Sequence, residues 1–134
     1  FINSQYLLTL HPVYPELVAL QERARADVAG LNQRAQELVA KREAGGTLTP
    51  DEQDVLNITL TTLDAVTARY DAEIGARLEP AFADITRAVS ATAEALGVTM
   101  VFDYIPARDL GVIVYAHADT DITNQVAERL TGGE

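Results

Sequence analysis

Cysteine and tryptophan are absent from this 134-residue chain, and there are only one methionine and two histidines. Without cysteine there are no disulfides, no thiol catalysis and no cysteinate metal sites, although this hardly separates an oxidising from a reducing compartment. Positive charge is also scarce, with 10 basic residues against 20 acidic ones and a formal charge of -10 at pH 7. Nothing neutralises a run of phosphates, so a nucleic-acid partner is not expected, and attraction to an anionic membrane is disfavoured for the same reason. No apolar run approaches the roughly 18 to 20 residues that a bilayer-spanning helix needs, so no integral membrane segment is expected. The chain opens at Phe1 rather than Met, which reads as a processed or trimmed form from which any secretory signal has gone.

What is present is Ala, Leu, Glu, Gln and Arg, a strongly helix-forming mixture. Phe1-Ile2 reads as the end of a strand entering a turn at Asn3-Ser4-Gln5, with a short helical turn at Tyr6-Leu7-Leu8. His11-Pro12 and Tyr14-Pro15 interrupt regular structure before a clean helical start. From Glu16, Leu17, Leu20, Ala24, Val28, Leu31, Ala35 and Leu38 recur at steps of three and four. They form one apolar stripe on a helix of about 29 residues, or about 44 Å, with a charged and polar back.

Gly45-Gly46 ends that helix and Thr49-Pro50-Asp51-Glu52 starts the next. Thr49 suits the N-cap, Pro50 the first helical position, and Glu52 the reciprocal capping position. Leu56, Leu60, Leu63, Tyr70, Ile74 and Leu78 continue the seam, Val66 and Thr67 share its missing step, and Ala81, Ile85, Val89 and Leu96 carry it onward. Thr92 fills a further step, where its methyl can pack while its hydroxyl bonds back to the helix. This second helix is about 46 residues, or about 69 Å, unless Pro80 breaks it, and helices of that length are more often coiled coils than parts of a globule. Pairing outward from the turn brings Glu79-Pro80 level with Glu16-Leu17, so the proline falls where the shorter arm begins.

Gly97 stops the second helix. Val98 to Tyr104 and Val112 to Ala116 read as strands around a loop at Ile105 to Gly111, with Phe1-Ile2 as a possible edge. Asp121 is the N-cap of a last short helix whose Val126 and Leu130 face inward, and Gly132-Gly133-Glu134 is a frayed end. The expected fold class is therefore α+β. A long antiparallel helical hairpin of coiled-coil type over 16–79, turned at 45–50, projects like a tentacle from a small β-rich body formed by 1–15 and 80–134. Two long helices back to back bury little surface, so the core is expected to be completed by another chain.

Candidate chemistry is sparse. His117 lies near Asp119 and Asp121, but no further ligand or acid-base partner supports a metal or catalytic centre. His11 beside Pro12 is read as holding the turn that launches the first arm, and Asp103 as capping the loop or pairing with Arg108. No nucleotide loop, zinc motif or nucleophile motif is present, so the chain reads as a non-enzyme without cofactors. From Glu16 to Glu79 there are twelve acids and seven bases, a mixed, solvated face with pairs such as Glu37 and Lys41 adding modest support.

The stretch from Pro80 to Leu130 resembles the C-terminal part of the Skp or OmpH-like family of periplasmic chaperones. The matching features are Ala-Glu-Ala-Leu-Gly97, Val98 to Asp103, Val114-Tyr115-Ala116, and Asp119 through Asp121-Ile122-Thr123 to Val126 and Leu130. Phe1 to Gln5 with His11-Pro12 looks like the family's opening strand, whose first residues would precede Phe1, and Pro80 falls where many members carry a proline. The resemblance implies a homotrimer in which short strands of three chains build a body and three helical hairpins surround a cavity. It implies an ATP-independent holdase of the periplasm that keeps unfolded outer-membrane or envelope proteins from aggregating. Well-known members are strongly basic, whereas this chain is acidic, which points to different clients or to capture chiefly by apolar contact.

On this reading the oligomerisation residues are Ile2, Val98, Met100, Phe102, Val112, Val114 and Leu130. Candidate client contacts along the arms are Leu20, Leu31, Leu38, Leu48, Leu60, Leu63 and Tyr70, most of which first serve the hairpin seam. Gly45, Gly46, Thr49, Pro50, Gly97 and Asp121 are structural caps and turns. The competing reading is a non-catalytic structural or adaptor coiled-coil protein that acts as a spacer in the cell envelope.

Overall fold

The fold, seen in a computed structural model that describes residues 1–132, is helical. Its elements are α1 (Ser4–Leu10), α2 (Tyr14–Glu43), α3 (Pro50–Leu96), α4 (Tyr104–Asp109), a single 3-10 turn (Ala118–Thr120) and α5 (Thr123–Gly132). The expected frayed end at Gly133 and Glu134 lies outside the described residues. The chain divides into two compact units, one of Glu16–Ala76 and the other of Phe1–Pro15 with the chain from Arg77 onward.

The first unit is an antiparallel helical hairpin. Lys41 near the end of α2 pairs with Glu52 near the start of α3, Nζ to Oε2 2.7 Å, while Asp27 accepts a hydrogen bond from the Tyr70 hydroxyl. Leu17, Leu20 and Ala35 of α2 and Leu56, Thr59 and Tyr70 of α3 are buried. The α3 seam runs through Thr59 rather than Leu60. A buried hydroxyl is costly unless it is bonded, and Thr59 Oγ1 donates to the Val55 carbonyl at 2.6 Å.

Thr49 and Glu52 form a reciprocal capping box: the Glu52 amide donates to Thr49 Oγ1 (3.1 Å) and the Thr49 amide to Glu52 Oε1 (3.3 Å). Both the Lys41 hydrogen bond and the Thr49 amide hold the Glu52 carboxyl below its ordinary value. At the other end of the turn, Gly45 has φ +84° and its neighbours close a six-to-one bond, Gly46 amide to Lys41 carbonyl at 3.2 Å.

The second unit has an apolar core of Ile2, Leu7, Ile85, Ile122 and Val126, flanked by Leu8, Ala88, Val89, Val101, Ala127 and Leu130. α1 packs on α5. Asn3 caps α1 by accepting from the Tyr6 amide at 3.1 Å. Thr92, at a seam position of α3, is buried and donates to the Ala88 carbonyl at 2.8 Å, and α3 runs through Pro80 without ending.

The α+β expectation is overturned: the described residues contain no strand, and the β-rich body is replaced by short helices. What survives of the expected pairing is one parallel bridge, Ile2 with Asp103, made by Ile2 amide to Phe102 carbonyl (2.9 Å) and Tyr104 amide to Ile2 carbonyl (2.8 Å). It joins the beginning of the chain to its later part. Beyond the bridge, Tyr104 begins α4 where a strand and loop were expected.

Two physical reasons account for the reversal. Pro106 is the third residue of α4, where an amide has no intrahelical partner to lose, so the proline does not oppose the helix. Gly111, at φ +72°, then closes α4 as Gly45 closes α2, and the amides of Val112 and Ile113 both go to the Ala107 carbonyl at 2.8 and 3.1 Å. Those amides are the donors with which a strand starting at Val112 would begin its ladder. Asp103 differs as well: its carboxylate accepts from the Ser4 amide (3.2 Å) and the Ser4 hydroxyl and makes no cap bond to α4, while Arg108 pairs with Asp109.

Candidate functional site

The histidines are the residues most able to carry chemistry, and each is committed to a turn. His11 Nδ1 accepts from the Val13 amide at 3.1 Å, and its Nε2 lies 3.0 Å from Asp84 Oδ2. The acceptor role of Nδ1 places the proton on Nε2, which donates to Asp84. Arg87 Nη1 donates to the other Asp84 oxygen at 3.0 Å. The His11 hydrogen bond, with Arg87 beside it, holds the Asp84 carboxyl below its ordinary value.

These residues line a groove of about 550 Å³ with Pro12, Ala88, Ala91, Arg129 and Leu130. The imidazole in it has no free basic nitrogen to offer a substrate, so the arrangement holds a turn. His117 repeats the motif, its Nδ1 accepting from the Asp119 amide at 3.2 Å. Among the described residues no group of three metal-ligating side chains comes together, and no helix is long and apolar enough to cross a membrane.

The other candidates are surfaces. In the hairpin unit, Leu20 is 1% exposed and Tyr70 7%, so neither is presented to a client, while Leu31, Leu38, Leu48 and Leu63 are half-buried. Leu60 is 45% exposed, and Ile58, which lies off the seam and escaped the sequence reading, is 65% exposed. Its signal was legible: a β-branched apolar residue two positions from the stripe, among polar neighbours.

In the second unit, Ile2 is buried in the core and Leu130 packs against it. Val98, Met100, Phe102, Val112 and Val114 are exposed, Val114 to 94%, with Leu110 (80%) and Tyr115 (81%) beside them in sequence. The sequence pattern places Leu110 in a loop and Tyr115 within a strand, and neither position signals exposure of this extent. The caps are occupied as described for Gly45, Gly46, Thr49 and Pro50. Gly97 has φ +69° and closes α3 with a Val98 amide to Ala93 carbonyl bond of 2.9 Å, and Asp121 Oδ1 accepts from the Thr123 amide at 2.9 Å as α5 begins.

These features define a helical protein of coiled-coil type that leaves large apolar side chains exposed on both units. Within that class the chain belongs to the family described as outer membrane protein (OmpH-like), whose model matches residues 1–130. Members of the family are non-enzymatic periplasmic chaperones that bind outer membrane protein clients. No curated protein and no solved structure matches the chain.

Proposed function

We propose that this protein is a periplasmic, ATP-independent holdase that binds unfolded outer-membrane or envelope proteins and keeps them from aggregating. It acts as a homotrimer. Residues 16–79 form the client-holding arm, with the client in a cavity between the arms of associated copies, and residues 1–15 with 80–134 form the oligomerising body. Leu31, Leu38, Leu48, Leu60 and Leu63, with Ile58, supply apolar client contact, and the apolar residues from Val98 to Val114 supply contact between copies.

The observation that carries the reading is the exposure of large apolar side chains on both units of a chain that belongs to a chaperone family. Many weak contacts of this kind retain a client without fixing its structure. The test is dilution of a urea-unfolded outer-membrane barrel into nucleotide-free buffer with stoichiometric protein, followed by light scattering. Suppressed scattering is expected. An envelope spacer or adaptor would leave scattering unchanged across clients and salt concentrations, and that outcome would sink the holdase.

A further inference from the structure

We infer, on the basis of the holdase reading above, that the α3 side of the hairpin unit is a docking surface for cationic, apolar segments of an unfolded polypeptide. The charge of the hairpin is divided unequally between its helices. α2 carries five bases and five acids, whereas residues 50–76 of α3 carry six acids and one base, and no Lys or Arg occurs between Arg42 and Arg69.

Some of that acidity is already matched. Glu52 is paired with Lys41, and Glu73 lies 3.8 Å from Arg69. Asp54 and Asp64 are exposed, and neither takes part in a hydrogen bond or ion pair among the described residues.

The two exposed large apolar side chains of residues 50–76, Ile58 and Leu60, are placed against those carboxylates by helical spacing. Ile58 follows Asp54 by four residues and Leu60 precedes Asp64 by four. Residues four apart share a helix face and their side chains meet. Each apolar contact point therefore has an unmatched negative charge one turn away, on two different faces of the helix.

The partner that fits both features has lysine or arginine next to an apolar residue, repeated along an extended chain. An acidic segment would bring like charges together, and so would a second copy presenting these same residues. Each contact is weak, since an exposed ion pair contributes little by itself. Repetition along one unfolded chain gives the retention.

The experiment uses the full chain and two unfolded model peptides of equal length and apolar content, with lysine in one and glutamate in the other at the same positions. Fluorescence anisotropy at low salt is expected to show the lysine peptide binding roughly fivefold more tightly, the sum of two exposed pairs. The preference should vanish at high salt, weaken in Asp54→Asn/Asp64→Asn, and reverse in Asp54→Lys/Asp64→Lys, with helicity of each variant checked by circular dichroism.

Equal affinity for the two peptides, tighter binding of the glutamate peptide, no binding of either, or a preference untouched by the neutral variant would each overturn the inference. If the barrel client is still kept from aggregating, only this docking surface fails. If barrel aggregation also proceeds unchecked, the holdase reading fails with it.

Discussion

His11 carries two hydrogen bonds that demand opposite properties of its ring: an acceptor at Nδ1 for the Val13 amide and a donor at Nε2 for Asp84. Only the neutral Nε2–H form satisfies both. Asp84 is the side of this pair whose titration has a definite sign. Its carboxyl is held low by the His11 hydrogen bond and by Arg87. A depressed folded-state value means that the carboxylate stabilises the fold fully above its unfolded value, and that this contribution is lost as pH falls through the folded value. Asp84 is well exposed to solvent, so the effect is screened and modest. Asp84→Asn is therefore expected to lower the urea midpoint at neutral pH and to narrow its difference from the parent protein below the ordinary carboxylate range. Equal differences at neutral and strongly acidic pH would show that the His11–Asp84 contact does not support the fold.

At the scale of elements, what was legible in the sequence was what local rules control. The stripe from Leu17 to Leu38 is buried or half-buried along α2, because a period near 3.6 needs no knowledge of the partner. The Thr49–Glu52 box was readable for the same reason. What failed was the assignment of Val98 to Tyr104 and Val112 to Ala116 as strands. A β-branched run is indifferent until a neighbour supplies a ladder, and here α4 and its Gly111 closure take the amides of Val112 and Ile113. Leu60 was misplaced for a subtler reason: two adjacent positions compete for one seam step, and Thr59 takes it by satisfying its hydroxyl within the helix. The candidate contacts divide accordingly: Leu20 and Tyr70 are buried in the seam, Leu60 is exposed, and the exposed Ile58 lies outside the stripe that the periodicity picks out. Two glycines test the element geometry with opposite signs. A Cβ at Gly46 would meet the Lys41 carbonyl oxygen at 2.7 Å, whereas one at Gly75 in α3 would meet nothing within 4 Å. Gly46→Ala should destabilise by about 1–3 kcal/mol through overpacking, and Gly75→Ala should stabilise by about 0.5–1 kcal/mol through helix propensity. Urea titration of both variants checks the pair, and changes of the same sign would contradict this geometry.

For the molecule as a whole, the two units present different problems to water. The hairpin unit buries a single seam and leaves charged residues outside, and a net charge of -10 favours keeping that surface in water. The second unit closes an apolar core around Leu7 and Val126, yet leaves Met100, Leu110, Val112, Val114 and Tyr115 largely in solvent. Monomeric proteins rarely expose contiguous apolar patches beyond a few hundred Å². On the function proposed above, copies of the same chain cover these side chains, and closure with point symmetry covers them on every copy. Val114, at 94% exposure, touches little of its own chain, so Val114→Asp should leave the fold of one chain intact. In an assembly that covers this residue, the same change buries an unpaired charge at a cost of several kcal/mol. Light scattering is expected to show a fall in solution mass toward that of a single chain, with helicity by circular dichroism unchanged. An unchanged mass would mean that the copies do not meet through Val114. A fall in helicity alongside the fall in mass would instead show that one chain cannot hold this unit together without its neighbours.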